Sequence, residues 1–204
     1  MLYLDRKTDV IVIKINQPRT TAGGIAMLDT TVKVSKLGLT EQFTLGGLET
    51  HIRGEIQQLS EQGFSVHLAV GNVFDGSLLP SCVSTVTSGI SLEPSASATN
   101  LLSAINQLRA IIHKYSIDRL HVHPFTSIIP AVAAAELEGI PFAITLHGPA
   151  SLASYGPIYD FLFKDIILSS ARLIVAVSSE VCNFLTEYSD PEAVVYIPNS
   201  VSFI

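Results

Sequence analysis

Residues 142–148 read Phe142-Ala143-Ile144-Thr145-Leu146-His147-Gly148. The run 142–146 is nearly all apolar, too short for a helix, and stopped by a histidine and a glycine. A strand covered on both faces reads this way, and such strands belong to parallel sheets. Runs of the same kind stand at 10–15, 65–70 and 119–123 upstream and at 173–177 and 193–197 downstream.

Helical patterns separate them. Leu48, Ile52, Ile56 and Leu59 recur at helical spacing, with Gly63 as the stop. Leu101, Ile105, Leu108 and Ile112 repeat the pattern with Asn100 as the cap, and residues 127–137 form an Ala-rich helix ended by Gly139. Pro157 opens a helix that runs through Leu168, and Ser178 or Ser179 caps one over 180–187. The apolar stripe Phe161, Leu162, Phe163, Ile166 and Ile167 reads as core.

Alternating strands and helices predict an α/β fold, a doubly wound and mostly parallel sheet with helices on both faces. Two segments break the alternation. Residues 16–45 read as a long connection, with a hairpin around 31–34, and residues 71–97 are rich in Ser, Gly and Pro with a strand at 82–86.

Composition narrows the function. In 204 residues, 48% are hydrophobic and 15% charged, enough for a core and unlike a disordered chain. The formal charge of −6 argues against nucleic acid and against electrostatic attachment to an anionic membrane. Two cysteines, Cys82 and Cys182, suit a reducing compartment. The start of the chain does not read as a secretory leader, and the longest apolar stretch, 131–146, is interrupted by Glu136, Glu138, Gly139 and Pro141. The expectation is a cytoplasmic domain without an indicated membrane contact.

In doubly wound sheets ligands bind beyond the carboxyl ends of the strands. His147 and Gly148 fall there, and an imidazole at that edge can donate to a substrate oxygen or move a proton. Gly46 and Gly47 open the first helix. Their backbone allows close approach, and free N–H groups at a helix start favour phosphate, although a plain flexible connection fits equally well. His121 and His123 share one strand face. They suggest a metal only with a third ligand, and none lies nearby in sequence, so packing is the stronger reading and no metal is expected. No nucleophile elbow and no Walker phosphate loop occur.

The order of these pieces resembles the N-terminal, acceptor-side half of a family-4 glycosyltransferase of the GT-B type. The resemblance rests on Gly46-Gly47-Leu48-Glu49-Thr50-His51, Gln62 to Val66, His121-Val122-His123, Gly139-Ile140-Pro141, Thr145 to Gly148, Ala171 to Ser178, and Ile197-Pro198-Asn199-Ser200-Val201. The family's usual Pro-Asn-Gly-Val-Asp ending is here Pro198-Asn199-Ser200-Val201-Ser202.

The resemblance implies one Rossmann-like domain over 1–197, with 198–204 beginning a linker to a second Rossmann domain present in cis or in trans. It implies a retaining sugar transfer from a nucleotide-sugar donor to an acceptor hydroxyl, without cofactor or metal, and an isolated chain that is inactive. His147 would be the catalytic group facing the sugar, Gly46, Gly47 and Gly148 would approach the donor diphosphate, and Glu49 and His123 would lie on the acceptor side. The alternative is a non-catalytic module that binds an acceptor or docks on a separate donor-binding protein.

Overall fold

A computed structural model describes residues 35–43, 47–90, 97–123, 129–148 and 156–198. Seven strands form one sheet: β1 (Ser35–Phe43), β2 (Ser65–Phe74), β3 (Thr85–Thr87), β4 (Arg119–His123), β5 (Phe142–Leu146), β6 (Leu173–Ala176) and β7 (Val194–Tyr196). Their spatial order is β3-β2-β1-β4-β5-β6-β7, and every neighbouring pair is parallel. The chain winds outward from β1 to β3, then returns to β4 on the other side of β1. The order therefore reverses between β1 and β4, where the crossovers diverge and leave a crevice.

The helices are α1 (Gly47–Glu61), α2 (Ala98–Tyr115), α3 (Ile129–Glu138), α4 (Pro157–Phe161), α5 (Leu168–Ser170) and α6 (Ser179–Leu185), with a π-helical stretch Leu162–Ile167 between α4 and α5. Ser97, not Asn100, caps α2: its Oγ accepts from the Asn100 N–H at 3.2 Å. Ser178 caps α6 by accepting from the Val181 N–H at 3.3 Å. Glu138 ties the end of α3 to α2 through Arg109 and His113.

The long connection expected over 16–45 is corrected. Residues 35–43 form the central strand, and only residues 44–46 stand between it and α1. Gly38, Lys36, Glu41 and Gln42 hide this strand, since these residue types are depleted in strands and break the apolar run. The strand expected at 10–15 and the hairpin at 31–34 lie outside the described residues. The stripe on α4 and the π-helical stretch is only half core: Phe163 and Ile167 are buried, whereas Phe161 and Ile166 are exposed.

Two apolar cores sandwich the sheet. Ile52, Ile56 and Leu59 of α1 pack on Val66, Leu68 and Val70 of β2. On the opposite face Leu120, Val122, Phe142, Ile144 and Leu146 meet α2, α3, α5 and α6. Strand alternation then sends His121, His123 and Thr145 toward the α1 side. That division places polar groups under α1 without opening the larger core. Gly139 ends α3 at φ +65, and an added Cβ would meet nothing within 4 Å. Gly139→Ala should therefore cost backbone strain alone, about 1–2 kcal/mol. A urea titration of the variant checks this, with the far-ultraviolet dichroism of the folded chain unchanged.

Candidate functional site

The α1 side of β4 and β5 carries a connected polar cluster. On α1, His51 and Glu55 are four residues apart and so share a face. That face lies over β4, where His121 and His123 are buried beside Gly38 and Thr40 of β1. Lys36, itself buried in β1, reaches along the sheet to ion-pair with Glu55 Oε1. His121 Nδ1 lies 2.6 Å from the same oxygen, and His121 Nε2 lies 2.7 Å from Thr145 Oγ1. One proton arrangement satisfies all of these: Lys36 and His121 Nδ1–H donate to Glu55, and the Thr145 hydroxyl donates to His121 Nε2. Lys36 Nζ is also 2.9 Å from His121 Nδ1, a proximity both groups accept by donating to the shared carboxylate.

Toward the crevice, His123 Nε2 lies 3.1 Å from Glu55 Oε2, within ion-pair distance but poorly aligned for a hydrogen bond. The other side of that ring, Nδ1, is 3.1 Å from His147 Nε2. His51 completes the group, its ring centroid 5.0 Å from that of His147 and 5.9 Å from that of His123. His123 is fully covered, whereas His51 and His147 remain partly open to the crevice.

Charge follows from this packing. Burial, and then the cost of charging beside His121, push His123 down to about 3 despite Glu55. Burial, then His123 and His51, push His147 down to about 3. Burial lowers His51 and His121 as well, with Glu55 opposing in both. Burial alone would raise Glu55, but His121 and Lys36 beside it hold its carboxyl well below the usual range. At neutral pH the rim thus presents uncharged imidazoles backed by a buried carboxylate and ammonium.

Of the residues singled out from sequence, His123 and His147 are brought into contact, with Gly148 following. Gly47 begins α1 and is exposed, one turn before His51, so that helix end shares the rim with His147. Glu49 is buried in the same first turn. Gly46 lies outside the described residues. The sequence reading missed Lys36, His51 and Glu55. The His51–Glu55 spacing on a helix was the available signal; nothing local marks Lys36.

The family model described as Glycosyltransferase Family 4 matches residues 45–203. The chain belongs to that family. It has the fold of one half of a GT-B enzyme. No curated protein matches it. A glycosyltransferase from Rickettsia africae superposes with a TM-score of 0.67 at 20% identity, over 83% of this chain and 44% of that one. Anabaena Alr3699/HepE, in complex with UDP and glucose, gives 0.61 at 15%, over 82% and 45%. A Rickettsia bellii UDP-N-acetylglucosamine 2-epimerase gives 0.56 at 11%, over 80% and 44%. The chain thus spans less than half the length of these structures, and likeness at such identities speaks for fold alone.

Among the described residues no helix is long and apolar enough to cross a membrane.

The lowered histidines give a pH dependence of definite sign. Below ~6.5 the unfolded chain takes up protons that folded His123 and His147 refuse, so stability is full above that pH and declines toward about 3. Glu55 adds in the same direction once the pH falls below its unfolded value. Urea midpoints measured from pH 8 to pH 4 should be flat, then fall below ~6.5. Imidazole NMR shifts of His123 and His147 should stay at their neutral values until the chain unfolds.

Proposed function

We propose that the chain supplies the acceptor-side wall of a retaining glycosyltransferase that moves a sugar from a nucleoside-diphosphate donor to an acceptor hydroxyl. The observation that carries this reading is the convergence of His51, His123 and His147 at the carboxyl edge of a parallel sheet, beside the start of α1. Neutral imidazoles donate and accept hydrogen bonds with sugar hydroxyls. The exposed N–H groups at Gly47 favour a diphosphate. Glu55, the carboxylate of this cluster, lies behind the histidines and is bound by Lys36 and His121, which does not favour its acting as a nucleophile. The protein's part is then positioning and electrostatic support of the departing phosphate.

His147 faces the donor sugar in this reading. Gly47 and Gly148 line the phosphate path in this reading, and Glu49 and His123 stand on the acceptor side. A donor-binding Rossmann domain, in cis or in trans, completes the cleft in this reading. No metal takes part in the transfer step.

A docking role without catalysis has one observation in its favour: Ile158 and Phe161, three residues apart on α4, are 78% and 55% exposed. An assay separates the two readings. The chain is incubated with a panel of nucleotide-sugars, alone and with the donor-binding domain. Transfer only in the combined sample is expected, with kcat/KM falling ~10²–10³-fold in His147→Ala. Turnover by the chain alone at an ordinary enzymatic rate, or full turnover in His147→Ala, would overturn the assignment. Complex formation without any transfer would favour docking.

A further inference from the structure

We propose that His51, His123 and His147 form a three-imidazole site for a divalent transition-metal ion of the zinc type, open on its fourth side to the crevice. The ligand nitrogens of these three side chains all lie within 4.8 Å of one another. A Zn–N bond of ~2.1 Å along the ring axis puts the metal ~3.2 Å from each ring centroid, so tetrahedral ligands would have centroids ~5.2 Å apart. The three separations in the fold are 5.0, 5.4 and 5.9 Å. The triangle is already close to the size a bound ion would impose, and small side-chain rotations close the rest.

The surroundings also suit a metal. Glu55 Oε2 lies 3.1 Å from His123 Nε2, on the far side of the ring from the site. A carboxylate at that separation electrostatically favours the tautomer with its proton on Nε2, which leaves the Nδ1 lone pair to the ion, without itself forming a well-aligned hydrogen bond. His147 needs only to carry its proton on Nδ1 for Nε2 to become a ligand. A second grouping, Glu55 with His121 and His123, has similar spacing. It is a poor cation site because the Lys36 ammonium already touches both Glu55 and His121. An all-nitrogen donor set selects zinc-like ions over Mg²⁺ or Ca²⁺, which require oxygen ligands.

His123 of the His121-x-His123 pattern is thus joined by two further ligands, His51 from α1 and His147 from the end of β5, while His121 stays with Glu55. Because His147 Nε2 cannot serve a metal and a sugar hydroxyl together, an occupied site would exclude the donor. That consequence rests on the proposed function; the binding itself does not.

Cobalt(II), titrated into the tag-free chain, is the probe. A tetrahedral-type visible absorption saturating at one ion per chain, and displaced by Zn²⁺, is expected. His51→Ala and His147→Ala remove partly open side chains outside both cores, and each should weaken binding more than ~100-fold, beyond the loss of an outer-shell partner. His113→Ala, at an exposed histidine of α2, should bind normally. On the unsubstituted chain, Zn²⁺ should shift the imidazole NMR signals of His51, His123 and His147 and leave His67 and His113 in place. Absence of one-per-chain binding, survival of the absorption in both truncations, or shifts confined to His67 and His113 would overturn the site. Neither measurement involves sugar transfer, so failure here leaves the proposed function standing.

Discussion

The buried contact of Lys36 with Glu55 constrains everything around it. A charged pair loses several kcal/mol of hydration per ion on burial, and removing one partner leaves the other uncompensated. The contact joins the central strand to α1, and His121 joins β4 to the same carboxylate. A slip of β1 by one residue would turn Lys36 toward the apolar face of Leu120 and Val122, away from Glu55. The pair therefore specifies register and helix placement, whatever its net contribution to stability.

That fixed frame lets one helix serve two purposes. Ile52, Ile56 and Leu59 anchor α1 on β2, while His51 and Glu55 on the adjacent stripe reach β4. Strands β4 and β5 divide their labour in the same way. Leu120, Val122, Phe142, Ile144 and Leu146 fill one core, and the intervening His121, His123 and Thr145 carry the polar network. Site and core share the same backbone but opposite faces, so site chemistry can vary without disturbing the larger core.

Legibility in the sequence follows from these divisions. Strands β4 and β5 were readable to the residue: β5 is a nearly continuous apolar run, and β4 alternates Leu120 and Val122 with histidines. The central strand was not, because its face toward α1 carries Lys36 and Gly38 in place of branched apolar residues. His147 was legible from its position after a strand. His51 and Glu55 were not singled out because their function depends on β4, 66 to 72 residues away. Sequence spacing reports local geometry; the convergence of α1, β4 and β5 is made by the crossovers.

Among the described residues the histidine cluster stands apart from two cavities of the fold. Two cavities of about 410 and 520 Å³ lie elsewhere, one beside Gly139, Pro141 and Arg172 at the opposite edge of the sheet, the other between Arg53 of α1 and Cys82. Neither holds a histidine of the cluster. A substrate bound only to His51 and His147 would keep most of its surface in water, where hydrogen bonds to neutral groups contribute little net energy. Excluding that water requires a facing surface. A small ion needs no such cover, because three imidazoles supply most of its coordination directly. Three imidazoles alone are therefore better suited to an ion than to a sugar, and a facing surface would reverse that preference by enclosing the larger ligand.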